Sequence, residues 1–344
     1  MRPRLLLPAA IALLAIQAGA HKNITSKYNY NDDVFPILNQ RCGQCHVPGG
    51  VAPMSLLSYK EAIPWAESIR MELTQAHMPP WYAENGFGQL AGTHRLSPRE
   101  LDVLLTWATG GTPEGPAKRL PAVGVRNTWK LGKPDLLLPM PTAFTLGPGK
   151  MEDTQEFVLQ QATVDRWIRA VDLLPGAPAM VRSASVYIRT LGPIGLWLPG
   201  DEPVQTPAGS AFKWPAGTEL ILRVQYRKTW TFEDKTLTDR STVGLYLASA
   251  PVQEVTAMAV GPSFTLIRDV KAVAFRMEDG ESDQSLKVEA VNPNGTVVPL
   301  IRLTARPDWN RRYWFAKPVA LSRGTEIRVS GGSARKLFLD ILDR

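Results

Sequence analysis

Two kinds of hydrophobic period divide the chain. Between Tyr28 and about Gly111 apolar positions recur at three and four residues, the spacing of helices with one buried face. Asn31 is placed to cap a helix through Val34, Phe35, Ile37 and Leu38, with Asp32 and Asp33 at its positive end and Pro36 within the first turn or so, where it is least harmful. A second helix is predicted from the capping pair Ser58 and Glu61, presenting Trp65, Ile69 and Leu73. Ser97-Pro98 announces a third, with Leu101, Leu104, Leu105 and Trp107 along its packing face and Gly110-Gly111 as its stop.

Past Gly111 the pattern shortens to strands divided by Gly and Pro turns: 156–159, 166–173, 183–190, 219–226, 242–248, 286–291, 326–329 and 336–342, with Asn292-Pro293-Asn294-Gly295 as a clear turn. No long amphipathic helix interrupts them, which is the pattern of β-sandwiches. The expected architecture is therefore multidomain: an all-α domain over 28–111, a linker over 112–128, and an all-β part with room for two sandwiches in tandem, 129–252 and 253–344.

Composition supports this scale, since 344 residues with 44% hydrophobic content furnish several cores. The formal charge of +7 is spread without a Lys/Arg run, so nucleic acid is not indicated. Residues 1–20 read as an export signal: Arg2 and Arg4, an apolar run from Leu5 to Ile16, and a small-residue end at Ala18-Gly19-Ala20. Their removal takes the charge from +7 to +5 and leaves no apolar stretch of spanning length, so the expected product is periplasmic or secreted, soluble, and without a transmembrane anchor. A mildly basic exterior is compatible with an acidic redox partner or an anionic surface. Cleavage after Ala20 would expose His21 with a free amine, a weak copper chelate that a frayed, solvated terminus explains as well.

The chemistry lies in Cys42-Gly43-Gln44-Cys45-His46, the spacing at which one haem c is attached covalently. Two thiols one short turn apart add to the two vinyl groups on one edge of the macrocycle, and the adjacent imidazole becomes the proximal iron ligand. Cys42 and Cys45 are the only cysteines, so no disulfide is available. The bland alternative is half of a zinc site completed by two of His46, His77 and His94. For the distal iron position the expected ligand is Met78, in His77-Met78-Pro79-Pro80-Trp81, where two prolines hold the following chain extended and a soft thioether favours reduced iron. Met71, on the second helix, reads as core, and Met54 lies a short path from His46; His77 or His94 would give a bis-His haem, and an open position would admit peroxide or dioxygen.

A helix entering the haem motif and another closing the segment about 80 residues later resemble a class I cytochrome c. More specifically, Asp33-Val34-Phe35-Pro36-Ile37-Leu38, the haem motif, Ala52-Pro53-Met54-Ser55-Leu56, Pro64-Trp65-Ala66 and Met78-Pro79-Pro80-Trp81 resemble bacterial proteins that fuse such a domain to a copper type II, ascorbate-dependent monooxygenase-like module. The resemblance continues, more weakly, through Gly132-Lys133-Pro134-Asp135, Trp197-Leu198-Pro199-Gly200, Pro215-Ala216-Gly217-Thr218, Asp239-Arg240 and Leu245-Tyr246. It implies a module similar to peptidylglycine hydroxylating monooxygenase: all-β tandem jelly-roll-like sandwiches, each holding one copper. The ligands it implies are missing. Arg182-Ser183 stands where a His pair is expected, Gln225 where a third His is expected, and residues 277–281 read Met-Glu-Asp-Gly-Glu where a His-x-His is expected. No His follows His94, Met277 is the last methionine, and Arg182 puts positive charge where a cation would sit, so no copper is expected.

Other chemistry in the β part is faint. Glu278, Asp279, Glu281 and Asp283 form an acidic cluster with the composition of a solvated turn. Trp197, Trp214, Trp230, Trp309 and Trp314 could line a ligand surface or fill cores. The expected function is one-electron transfer by an exported monohaem c-type cytochrome whose metal-free β-module docks a partner, a periplasmic redox protein or a copper-bearing homologue, with no catalytic residues of its own. The alternatives are an ascorbate-dependent copper monooxygenase or haem peroxidase, and a binding module with a structural haem.

Overall fold

The computed structural model describes residues 25–92, 95–249, 252–278, 284–306, 309, 311–332 and 336–343. The export segment, His21, His94, and Asp279, Glu281 and Asp283 of the acidic cluster lie outside the described residues.

Strands dominate, at 40% of the chain against 14% helix. The first sandwich closes a core between two sheets. One orders Leu136–Pro139, Thr242–Leu247, Arg166–Leu174, Ser210–Trp214 and Gln253–Glu254, with Val204–Gln205 beside Arg166–Leu174. The other orders Glu152–Gln161, Glu219–Arg227, Val181–Ile188 and Gly192–Trp197, all antiparallel. Inward positions such as Leu220, Leu222, Val224 and Tyr226 alternate with outward Arg223 and Gln225, the period of two that a half-buried sheet imposes.

The second sandwich faces the sheet Thr256–Val260, Lys336–Asp343, Val270–Glu278 and Tyr313–Leu321 against Ser263–Thr265, Glu326–Ser330, Ser285–Val291 and Val297–Thr304. Its outer face does not meet solvent everywhere, because Val273, Leu342 and Trp314 join the core of the first sandwich. Arg312 fixes that junction: it donates to the carbonyls of Ile194 and Pro193 at 2.9 and 2.6 Å while holding Asp340 at 2.6 Å.

The N-terminal segment corrects the sequence expectation, because no all-α cytochrome domain forms over 28–111. Its helices are short: a wide turn Tyr30–Val34 leading into α1 (Phe35–Arg41), then α2 (Tyr59–Ala62) with a tight turn Ile63–Trp65, α3 (Ala66–Thr74) and α4 (Pro98–Thr109). They share a small core around Tyr30, Leu38, Leu104 and Trp107. The bidentate pair Arg41–Glu100 at 2.9 Å clips α1 to α4.

Between α3 and α4 the chain leaves the helices and becomes an edge of the second sandwich. Glu84 N–H donates to Arg302 O at 2.7 Å, Thr304 N–H to Tyr82 O at 3.1 Å, and Ala91 N–H to Trp314 O at 2.7 Å. Trp81 and Ala83 are buried in the sandwich core, Trp81 edge-on to Tyr313 at 5.3 Å. The physical reason is local: Pro79-Pro80 and the glycines at 86 and 88 forbid a continued helix, and free strand-edge groups on the sandwich satisfy the extended backbone instead. Gly88, at φ +76°, permits the approach, since a Cβ there would lie 1.9 Å from Leu300 O.

The caps hold with one shift. Ser97 and Glu100 form a full capping box on α4, and Ser58 caps α2. The first cap is Asn29, whose side chain accepts from Asp32 N–H; Asn31 is buried and donates to Pro116 O at 2.9 Å. The stretch 112–128 has no regular structure but is well held. Pro113 O receives Trp107 Nε1–H and Tyr30 N–H, and Arg126 pairs with buried Asp172 at 2.7 Å. No helix among the described residues is long and apolar enough to cross a membrane.

Candidate haem cavity

α1 ends in the haem motif. Cys42 N–H and Gly43 N–H both donate to Leu38 O, and a tight turn returns Cys45 N–H and His46 N–H to Cys42 O at 3.0 and 2.9 Å. That turn carries Cys42, Cys45 and His46 onto the wall of one cavity of about 1090 Å³. Met78 lines the same cavity with Pro79 and Pro80. The backbone that carries Met78 is held from both sides: His77 N–H donates to Glu72 O at the end of α3, and Trp81 is anchored in the second sandwich.

Much of the remaining wall comes from the β-module. Arg182, Pro199 to Glu202 and Arg227 to Trp230 contribute from the first sandwich, Trp309 and Arg311 from the second. Contact with the motif is direct, since Cys45 Sγ–H donates to Pro199 O at 3.4 Å. Gly200, at φ +87°, lies so close that a Cβ would meet Gln44 Cβ at 2.6 Å. Gly200→Ala should therefore push the motif from the β wall and cost about 1–3 kcal/mol, read as a lower denaturation midpoint with unchanged slope.

Burial governs the titrating groups. It pushes the Cys42 thiol up to about 12, with Cys45 adding to the rise, and the Cys45 thiol up to about 11, against the pull of Arg182. Burial likewise pulls His46 below the ordinary histidine value, helped by Arg182 and opposed by the Met54 carbonyl. His46 is therefore neutral near pH 7, with a ring lone pair available for a metal.

The residues fit a covalent haem on several counts. Both cysteines are free, so each sulfur is available to form a thioether. His46 Nδ1 is buried without a well-formed hydrogen bond, and the Met54 carbonyl is the group that would orient the ring once its other nitrogen is engaged. Arg311, with a side chain 6% exposed, keeps a buried Nε–H that has no acceptor among the described residues, although its Nη1 lies 3.3 Å from Asp201. A macrocycle bearing carboxylates can supply one.

The other candidates fall elsewhere. His77 Nδ1 sits 3.4 Å from the Glu72 carboxylate and is absent from the cavity wall. Met71 is 43% exposed rather than core, because α3 buries its Ala66 and Leu73 face. Met54 packs against the helical core. The positions where copper ligands were expected face each other across the strand pair Val181–Ile188 and Glu219–Arg227, and there Ser183 Oγ–H donates to Gln225 Oε1 at 3.0 Å. Met277 is buried in the second core, and Glu278 pairs with Arg276. Of the tryptophans, Trp214 is fully buried, Trp197 and Trp314 pack at the first core, Trp309 lines the cavity, and Trp230 stands exposed at its rim. The Trp230 loop is pinned by Lys228, whose ammonium donates to the carbonyls of Gly147, Glu233 and Lys235.

Sequence reasoning missed the β half of the wall. The signal available was the Pro199-Gly200 turn, quoted for resemblance and not for its position against the motif.

No family model matches the chain, and no curated protein does. Solved structures that align include the turret protein A223 of Sulfolobus turreted icosahedral virus, at 9% identity over 60% of this chain and 98% of that one, TM-score 0.16. The atomic structure of the same virus aligns at 9% identity over 64% of this chain and 99% of that one, TM-score 0.15. Paenibacillus xanthan lyase aligns at 10% identity over 65% of this chain and 28% of that one, TM-score 0.19. Superpositions this loose carry no argument about fold or function.

Proposed function

We propose that this chain is an exported one-electron carrier holding a single haem c, with Cys42 and Cys45 as covalent anchors, His46 as proximal and Met78 as distal iron ligand. The observation that carries the reading is the meeting of all four side chains on one cavity wall, although Met78 lies 32 residues beyond His46 and is delivered by a different part of the fold. The bound group would supply a reversible one-electron iron couple. The chain's part is to hold it: α1 and its turn present the thiols and imidazole, the Pro79-Pro80 segment presents the thioether, and the β-module closes the third side and limits water. The sequence resemblance to haem–monooxygenase fusions is consistent with this, with the β-module serving as a wall and docking surface instead of a copper centre.

Met78→Ala tests the assignment. On protein matured with haem in a periplasm, the wild type should show the ferric methionine–iron band and the variant should lose it, while covalent haem content stays the same. Retention of that band in Met78→Ala would remove Met78 from the iron.

A further inference from the structure

We propose that the β-module sets the reduction potential of the site, through the guanidinium groups of Arg182 from the first sandwich and Arg311 from the second. This rests on the haem reading above and extends it, since it gives the sandwiches an electrostatic role beyond docking.

Arg182 occupies the irregular step of its strand. Val181 pairs with Tyr226 and Ser183 with Gln225, so Arg182 is the extra residue of a bulge. Bulges re-aim a side chain out of the ladder, and this one turns Arg182 onto the cavity wall beside Cys45 and His46. Its guanidinium lies 3.9 Å over the Trp309 ring, which holds the cation by its face and fixes its position. Arg311 approaches from the other sandwich, stacked over Trp81 at 5.2 Å and paired with Asp201.

Ferric iron carries one more positive charge than ferrous iron. Fixed cations in a poorly solvated wall therefore favour the ferrous form, and the effect grows as water is excluded. A unit charge about 10 Å away in an effective dielectric near 20 changes a one-electron equilibrium by on the order of tenfold. Asp201 offsets part of the Arg311 charge, which reduces the effect of that residue. The position where the resemblance expects a copper ligand thus becomes part of the haem wall.

The test is an equilibrium redox titration of full-length haem-loaded protein: wild type, Arg182→Gln, Arg182→Lys and Arg311→Gln. At fixed ambient potential Arg182→Gln should raise the ferric-to-ferrous ratio about tenfold, which for one electron is a midpoint about 59 mV lower. Arg311→Gln should shift it the same way, and Arg182→Lys should retain most of the wild-type value, all with unchanged absorption spectra. Unshifted midpoints in both glutamine variants, with spectra intact, would overturn the proposal while leaving the haem assignment standing. A wild-type chain that takes up no covalent haem would overturn both. Should Arg311→Gln fail to fold through loss of its pair with Asp201, Arg182→Gln alone decides.

Discussion

On the haem reading proposed above, serine at both Cys42 and Cys45 should take the protein from one covalently attached haem per chain to none. The hydroxyl is nearly the same size as the thiol, and both positions are half-buried at the end of α1, so the helical core around Leu38 and Trp107 should survive. Only the nucleophile that adds to the vinyl edge is lost. His46 and Met78 remain, and any haem they retain is held by coordination alone and dissociates in denaturant. The single variants separate the contributions: either one keeps one thioether and so keeps haem through denaturation, with an altered absorption spectrum. Haem staining of denatured protein after electrophoresis reads all three variants, and covalent haem on the double variant would show that the attachment lies elsewhere.

Asp340→Ala should cost roughly 3–5 kcal/mol, the scale of removing one partner from a buried ion pair. Asp340 sits between Arg276, at 3.5 Å, and Arg312, at 2.6 Å, and all three side chains are 1–2% exposed. Burial pulls Arg312 below its ordinary value, and Asp340 is the charge that opposes this. Without it, two guanidinium groups remain inside, and Arg312 is also the residue that ties the second sandwich to Ile194 and Pro193 of the first. Since Arg182 and Arg311 reach the candidate cavity from different sandwiches, loosening this junction should lower the denaturation midpoint and, on the haem reading, broaden the redox transition. Asp340→Asn, which keeps shape and loses charge, separates packing from electrostatics: a loss as large as that of Asp340→Ala assigns the cost to the charge, and a wild-type midpoint in both variants would contradict the account of the junction.

The legible parts of this chain were those written locally. Ser97-Pro98 with Glu100 is a four-residue cap, and the strand around Val288 alternates strictly. Two of the strands that were missed lack alternation. Val270–Glu278 is buried on both faces because one side packs on its own core and the other on the first sandwich, and Gly192–Trp197 begins with Gly-Pro, which reads as a turn.

The largest misreading came from the segment after Pro80. Trp81, Ala83 and Leu90 are apolar positions without a continuous helical period, and their partners Tyr313, Leu303 and Phe315 lie more than 200 residues away. An all-α domain was inferred from helix signals on either side, and the intervening chain belongs to the β-module. The same long-range assembly hid half the candidate site. Arg182 was noted only as a charge that would repel copper, and nothing near it in sequence announces that its bulge turns it toward Cys45.

The most direct measurement is the intact mass and metal content of the full chain, exported by a host that matures c-type haem and analysed under denaturing conditions. The account predicts a mass increased by one haem, one iron per chain and a ferrous spectrum of six-coordinate low-spin type. An unmodified mass, or zinc or copper bound stoichiometrically in place of iron, would contradict it.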